Sequence, residues 1–298
     1  MSDQPLIFVR PLTAIEEFHA VEELQRVVWP GPELDVVPLH LLTTVAHNGG
    51  LVLGAYHGDQ LVGFLMGFLG TDEGPLDRPA MTRLKHCSHQ LGVLPAYRNA
   101  NVGYQLKLAQ RDFVSAQGVR LVTWTYDPLE SRNARLNIAK LGAVCATYTR
   151  QVYGQMLDGL NAGLASDRFQ VDWWLTSARV KERLFGQRAA LVLESFTLAG
   201  AEVLNPTTLG PAGLVRPAER VLPATGSLAL IEIPADFQAI KTQDMALAQA
   251  WRAHSRALFE AAFAGGYWVT DFFFETVGGR PRSFYALSRG VRVAYSEN

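Results

Sequence analysis

Leu91-Gly92-Val93-Leu94-Pro95-Ala96-Tyr97-Arg98-Asn99-Ala100-Asn101-Val102-Gly103-Tyr104-Gln105-Leu106-Lys107 is the stretch from which the fold of this chain is read. It predicts a strand, a tight polar turn, and then a helix that begins near Asn101 and carries Val102, Leu106, Ala109 and Phe113 on one apolar stripe. From Arg98 to Gly103 the turn combines one cation, two asparagines and a glycine. The backbone amides of a new helix are unpaired there and the helix dipole is positive, so the turn has the chemistry of an anion site, and a diphosphate suits it.

On the N-terminal side, Leu6 to Arg10 reads as a short strand, and Thr13-Ala14-Ile15-Glu16 as a capping box opening a helix with Phe18, Val21, Leu24 and Val28 inward. Pro30-Gly31-Pro32 stops it. A second helix near Leu39 to His47 leads into a hairpin, Leu51 to Tyr56 and Gln60 to Leu69, followed by an exposed Gly70 to Pro79 loop. A fourth strand, Thr82 to Val93, delivers the chain to the turn. On the C-terminal side, Gly118 caps the helix, Leu121 to Tyr126 is a β-branched and aromatic strand, and a helix follows from Ser131 to Gly142. Its inner stripe is Ala134, Ile138 and Leu141; its polar stripe is Asn133, Asn137 and Lys140. Strands are expected at 143–152 and 169–175, and a short helix at 177–185.

Beyond residue 190 the pattern weakens, with two short strands among prolines and glycines. It recovers as a strand at 227–233, one helical stretch over 234–265, and strands at 267–274 and 283–288. The expected organisation is a domain over 1–190 and an extension over 191–298, with a mixed α/β sheet flanked by helices and parallel pairing at its middle.

Composition bounds the function. The 298 residues are 48% hydrophobic and 18% charged, enough for a large core, and 27 basic against 28 acidic residues leave a net charge of −1. No nucleic-acid footprint and no polybasic membrane surface follow from that balance. The two cysteines, Cys87 and Cys145, form no CxxC and no Cys/His cluster, so neither a disulfide framework nor a metal site is implied, and a reducing cytoplasm suits the chain. No leader and no membrane span is read from the sequence.

The segment Arg98-Asn99-Ala100-Asn101-Val102-Gly103, after Val93-Leu94-Pro95-Ala96-Tyr97, resembles motif A of the GNAT acyl-CoA N-acyltransferases, Gln/Arg-x-x-Gly-x-Gly/Ala, with Asn101 in place of the first glycine. Asn tolerates a left-handed backbone better than most residues. The element order is similar to the family core, and Ser131 to Ala143 resembles its second motif at Ala134, Lys140 and Gly142. Ile138 stands where many relatives carry a tyrosine that protonates the departing thiolate. A less close resemblance, to a bacterial subgroup with a long extension that includes amino-acid N-succinyltransferases, is a hint to substrate only.

The resemblance implies an acetyl-CoA or other acyl-CoA co-substrate, with no metal. It places the pyrophosphate on Arg98, Asn99, Ala100, Asn101, Val102 and Gly103, and the thioester oxygen on amides near Gly92, Val93 and Leu94. An alkylammonium acceptor, with a pKa of about 10, must lose a proton before it attacks. His89, sharing the parity of Leu91 and Val93, is the expected base, where aralkylamine-type relatives carry a histidine. Tyr148 or Tyr126 could supply a hydroxyl, and Asn133 and Asn137 could bind the pantetheine arm; both asparagines equally suit a solvated face. Asp127 and Glu130 are candidates for the substrate ammonium, or for capping the helix at Ser131. Arg252 and Arg256, four apart, repel unless Glu260 or a carboxylate-bearing substrate compensates.

The expected activity is direct transfer of an acetyl or succinyl-like group to a primary amine of a small molecule, an amino acid among the options, with a homodimer left open. A catalytically silent acyl-CoA-binding module and a nucleotide-binding α/β protein are the alternatives. The second lacks a P-loop lysine or GxGxxG.

Overall fold

The computed structural model describes residues 6–72, 79–186, 191–210 and 213–290, so residues 73–78 of the expected 70–79 loop lie outside the described ones. The chain divides into two compact units, Met1–Trp124 with Leu157–Leu160, and Thr125–Met156 with Asn161–Asn298. The division follows Trp124, whereas the sequence reading placed a boundary at 190.

The first unit holds β1 (Ile7–Pro11), α1 (Ile15–Val28), α2 (Leu39–His47), β2 (Leu51–His57), β3 (Gln60–Thr71), β4 (Leu84–Val93), α3 (Val102–Ala116) and β5 (Leu121–Tyr126) through Trp124. Its strands run β1-β2-β3-β4-β5, antiparallel except for the parallel β4–β5 pair. Strand alternation gives the sheet two buried faces. Val52, Phe64 and Met66 pack on Phe18, Val21, Leu24 and Leu42 of α1 and α2, while Leu51, Leu53 and Leu65 pack on Val102 and Leu106 of α3. The α1 cap sits one residue later than expected: Glu17, not Glu16, accepts the N–H groups of Thr13 (2.9 Å) and Ala14 (3.0 Å).

The second unit begins at the end of β5. It continues through α4 (Ser131–Ala134), widening into a π turn over Arg135–Lys140, then β6 (Val144–Thr149), β7 (Arg168–Trp174), α5 (Ala178–Phe185) and α6 (Leu193–Leu198). Three two-residue strands follow, β8 (Glu202–Val203), β9 (Thr208–Leu209) and β10 (Val215–Arg216), then β11 (Leu228–Ile233), α7 (Phe237–Gln243), α8 (Met245–Ala264), β12 (Tyr267–Val277) and β13 (Arg280–Arg289). The strand order here is β7-β6-β12-β13-β11-β8, with β11–β8 parallel, and β9–β10 form a separate ribbon. Phe169 centres the core, its ring 4.6 Å from Phe259, 5.5 Å from Tyr285 and 5.8 Å from Tyr126. The helical stretch expected over 234–265 is two helices: Asp236 caps α7 through Ala239 N–H, and Asp244 stops α7 and caps α8 through Leu247 N–H.

Candidate functional site

The turn between β4 and α3 is held by Tyr97. Its N–H donates to Leu94 O (2.9 Å), its carbonyl accepts from Ala100 N–H (3.0 Å), and its hydroxyl meets His57 Nδ1 (2.9 Å) and Gln60 Oε1 (3.3 Å) on the β2–β3 hairpin. Asn101 then takes the left-handed conformation, φ 56° and ψ 17°, which a glycine would take without strain and an asparagine takes more easily than most residues. Among the described residues no side chain caps α3. Its first intrahelical bond runs from Gln105 N–H to Asn101 O (3.0 Å), so the amides of Val102 and Gly103 point out of the helix end. Arg98 and Asn99 are exposed beside them, Ala100 and Gly103 are half-buried, and the Val102 side chain is in the core. This set fits a diphosphate, which needs outward amides, a positive helix terminus and a guanidinium within reach.

Upstream, β4 leaves β5 early. Parallel pairing covers only His86 with Val122 and Cys87 with Thr123. On its other edge β4 stays paired with β3 up to Val93 opposite Gly63, and Leu94 N–H donates to Val62 O (2.9 Å). This corrects the expectation for Leu94, whose amide is taken by β3. Alternation along an antiparallel ladder then turns the amides of Leu91 and Val93 toward the edge that β5 has left. Gly92 is a packing residue: a Cβ there would lie 2.7 Å from Phe64 Cε1 and 3.2 Å from Trp29 Cη2.

His89 is displaced by a bulge. Gln90 pairs with Met66 and Ser88 with Gly67, so His89 is the extra residue. Its ring is 6.1 Å from that of Phe68, whereas Leu91 and Val93 pack with the α3 cluster, so the expected shared parity does not hold. The side chain is exposed, and partial desolvation lowers its pKa.

The bulge brings His86 and Ser88 onto the α3 side, into a polar cluster that the sequence reading missed. Lys107, 2% exposed, donates to Ser88 Oγ (2.8 Å) and Gln110 Oε1 (3.2 Å), and its Nζ lies 3.5 Å from the centre of the Trp124 ring. Burial holds the Lys107 amine well below its ordinary pKa. It also lowers His86 to about 4, with the Lys107 charge adding to the effect. The signal was a lysine and a glutamine inside the buried stripe of α3, which runs through Val102, Leu106, Lys107, Gln110 and Val114, with Ala109 and Phe113 half-buried against the same cluster as expected.

In the second unit, Asp127 and Arg252 form a bidentate pair, with Nη1 2.9 Å from Oδ1, and Arg168 Nη1 lies 3.9 Å from Asp127 Oδ2. Asp167 accepts from Arg256 Nε (2.8 Å), Arg256 Nη2 (3.1 Å), the Tyr148 hydroxyl (2.8 Å) and Gln151 N–H (3.1 Å). Each arginine of the expected substrate pair is thus matched to an aspartate, and Glu260 instead pairs with Arg150. Asp167 and Arg168 were not singled out from sequence, since nothing local marks them. Burial, then the Asp167 carboxylate, raises the Tyr148 pKa, so its phenol stays protonated and bonded. Glu130 accepts from Gln238 (2.5 Å), and burial followed by Asp127 raises its pKa. Asn133 is exposed while Asn137 is 5% exposed: the π turn breaks the one-turn spacing that had placed them on one polar stripe.

Among the described residues, no group of three His, Cys, Asp or Glu side chains could hold a metal ion, and no helix is long and apolar enough to cross a membrane. No family model and no curated protein matches the chain. Among solved structures, it is similar to Arabidopsis thaliana NAA60 in complex with acetyl-CoA, at 16% identity and TM-score 0.45 over 57% of this chain and 99% of that one. It is also similar to the ribosomal-protein-S18-alanine N-acetyltransferase of Escherichia coli, at 13% identity and TM-score 0.43 over 58% and 96%.

Proposed function

We propose that the chain is a GNAT-type acyltransferase that passes an acyl group from acyl-CoA directly to a primary amine of a small molecule. One observation carries this reading: a strand that parts from its parallel neighbour after Cys87 and runs straight into an uncapped helix N-terminus, with Asn101 left-handed at the junction. In this reading the diphosphate lies on Arg98, Asn99 and the amides of Val102 and Gly103. The pantetheine arm follows the open edge of β4. The Leu91 or Val93 amide receives the thioester oxygen, where negative charge grows as the amine attacks. The C–N bond forms, the C–S bond breaks, and the proton lost by the amine balances the thiolate. Asn133 and Asn137 remain proposed contacts of the arm, and Asp127, Glu130, Arg252 and Arg256 of the acceptor, although the two arginines already hold carboxylates.

Calorimetric titration with acetyl-CoA and CoA, repeated on Arg98→Glu, tests the reading. Binding is expected, weakened about ten- to a hundred-fold in the variant by loss of a charge-assisted bond. Absence of binding to either ligand would sink it. A silent acyl-CoA-binding module is the second reading, favoured by the outward, bulged His89 and by the Tyr148 phenol tied to Asp167. Binding without turnover across a panel of primary amines would select it.

A further inference from the structure

One step beyond the last paired residues of β4 and β5, Cys87 and Thr123, an amine fills the gap on the α3 side. Lys107 Nζ bridges Ser88 of β4 and the ring of Trp124 of β5, and it is buried with Ser88 (5% exposed) and His86 (0% exposed). His86, Cys87 and Ser88 from β4, Gln110 from α3 and Trp124 from β5 surround it. None is a carboxylate, and among the described residues Lys107 forms no ion pair. Among the described residues, the Gln110 Nε2 donor and both ring nitrogens of His86, one a donor and one an acceptor in the neutral imidazole, are buried without a hydrogen-bond partner. A buried ammonium without a counter-charge is strongly unfavourable, and a carboxylate is the group that would relieve it.

We propose that Lys107 is the specificity-determining residue of the acyl subsite and selects CoA thioesters whose acyl group ends in a carboxylate, that is, short dicarboxylic acyl chains. This rests on the acyltransferase reading above. The diphosphate turn lies beyond the C-terminal end of β4, so an acyl-CoA enters along the open edge from Val93 toward Leu91. Only Gln90 and the bulged His89 separate Leu91 from Ser88. A thioester carbonyl on the Leu91 amide therefore points the far end of its acyl chain at Ser88 and Lys107.

The test is calorimetric titration of the full chain at pH 7 with acetyl-CoA and with succinyl-CoA, in two buffers of different ionisation enthalpy. Succinyl-CoA is expected to bind at least ten-fold more tightly and with proton uptake that acetyl-CoA lacks. Burial holds the Lys107 amine below its usual pKa, and an adjacent carboxylate restores its charge. Lys107→Met is expected to bring succinyl-CoA down to the affinity of acetyl-CoA. Should that variant fail to fold, proton uptake by the unaltered chain decides the matter. Equal affinities, or a preference that involves no proton uptake or survives Lys107→Met, overturn the proposal and leave the acyltransferase reading standing. Failure of both thioesters to bind overturns both.

Discussion

Asn101 shows how much a single position can reveal. Its residue type allowed a left-handed junction where the motif has glycine, and the junction is left-handed, as the chain turns from the end of β4 into α3 within a few residues. His89 shows the opposite case. Its facing was read from strict alternation, and one inserted residue reversed it, since a bulge changes parity without leaving any mark in the local sequence. The same bulge accounts for His86, whose imidazole is fully buried and whose pKa burial lowers from 6.5 to about 4. A histidine with a depressed folded pKa binds fewer protons folded than unfolded, so its contribution to stability falls as pH drops from 6.5 toward 4. That loss is expected to reach roughly 3 kcal/mol. Urea unfolding at pH 7, 5.5 and 4.5 should show this acid-side decline in the unaltered chain and a flatter one in His86→Gln. Equal slopes in the two proteins would contradict it.

At the scale of the element, the strands and helices with clear periodicity formed where the sequence placed them, from α2 (Leu39–His47) and the β2–β3 hairpin to α5 (Ala178–Phe185) behind its Ser177 cap. The failures lie where one residue ends one element and starts the next. Asp244 divides what reads as a single helix, because its carboxylate satisfies Leu247 N–H (2.9 Å) while its own backbone is extended, φ −150° and ψ 92°. Asp244→Ala should therefore cost about 1 kcal/mol of stability, the usual value of a lost N-cap, measured by thermal or urea unfolding. The variant should not change the helix content at low temperature. The π turn at Arg135–Lys140 is the other case: it shifts the helical register, so Asn137 turns inward while Asn133 stays in water.

On the scale of the whole molecule, some ion pairs of the second unit tie residues more than a hundred positions apart, Asp127 with Arg252 and Arg150 with Glu260 among them. Arg252 is 4% exposed, so removing either partner leaves a charge stranded in the interior. Arg252→Met is expected to cost about 3–5 kcal/mol, and adding Asp127→Asn to restore part of it, because breaking a buried pair is dearer than replacing both members. A double-mutant cycle from urea unfolding measures this, and additive losses would show that the two do not act as a pair. By itself the sequence determined the element order from residue 6 to 185 and the strand–turn–helix at Leu91 to Lys107, with an asparagine that tolerates a left-handed backbone at its junction, because periodicity, capping and backbone preference act over a few residues. Only the tertiary structure decided that Leu94 gives its amide to Val62, that His89 turns away from the α3 face, that Lys107 meets Ser88 and Trp124 with no counter-ion among the described residues, and that Arg252 and Arg256 are answered by Asp127 and Asp167. Each of these depends on which strand lies beside which and in what register, and register is settled by packing across the whole sheet.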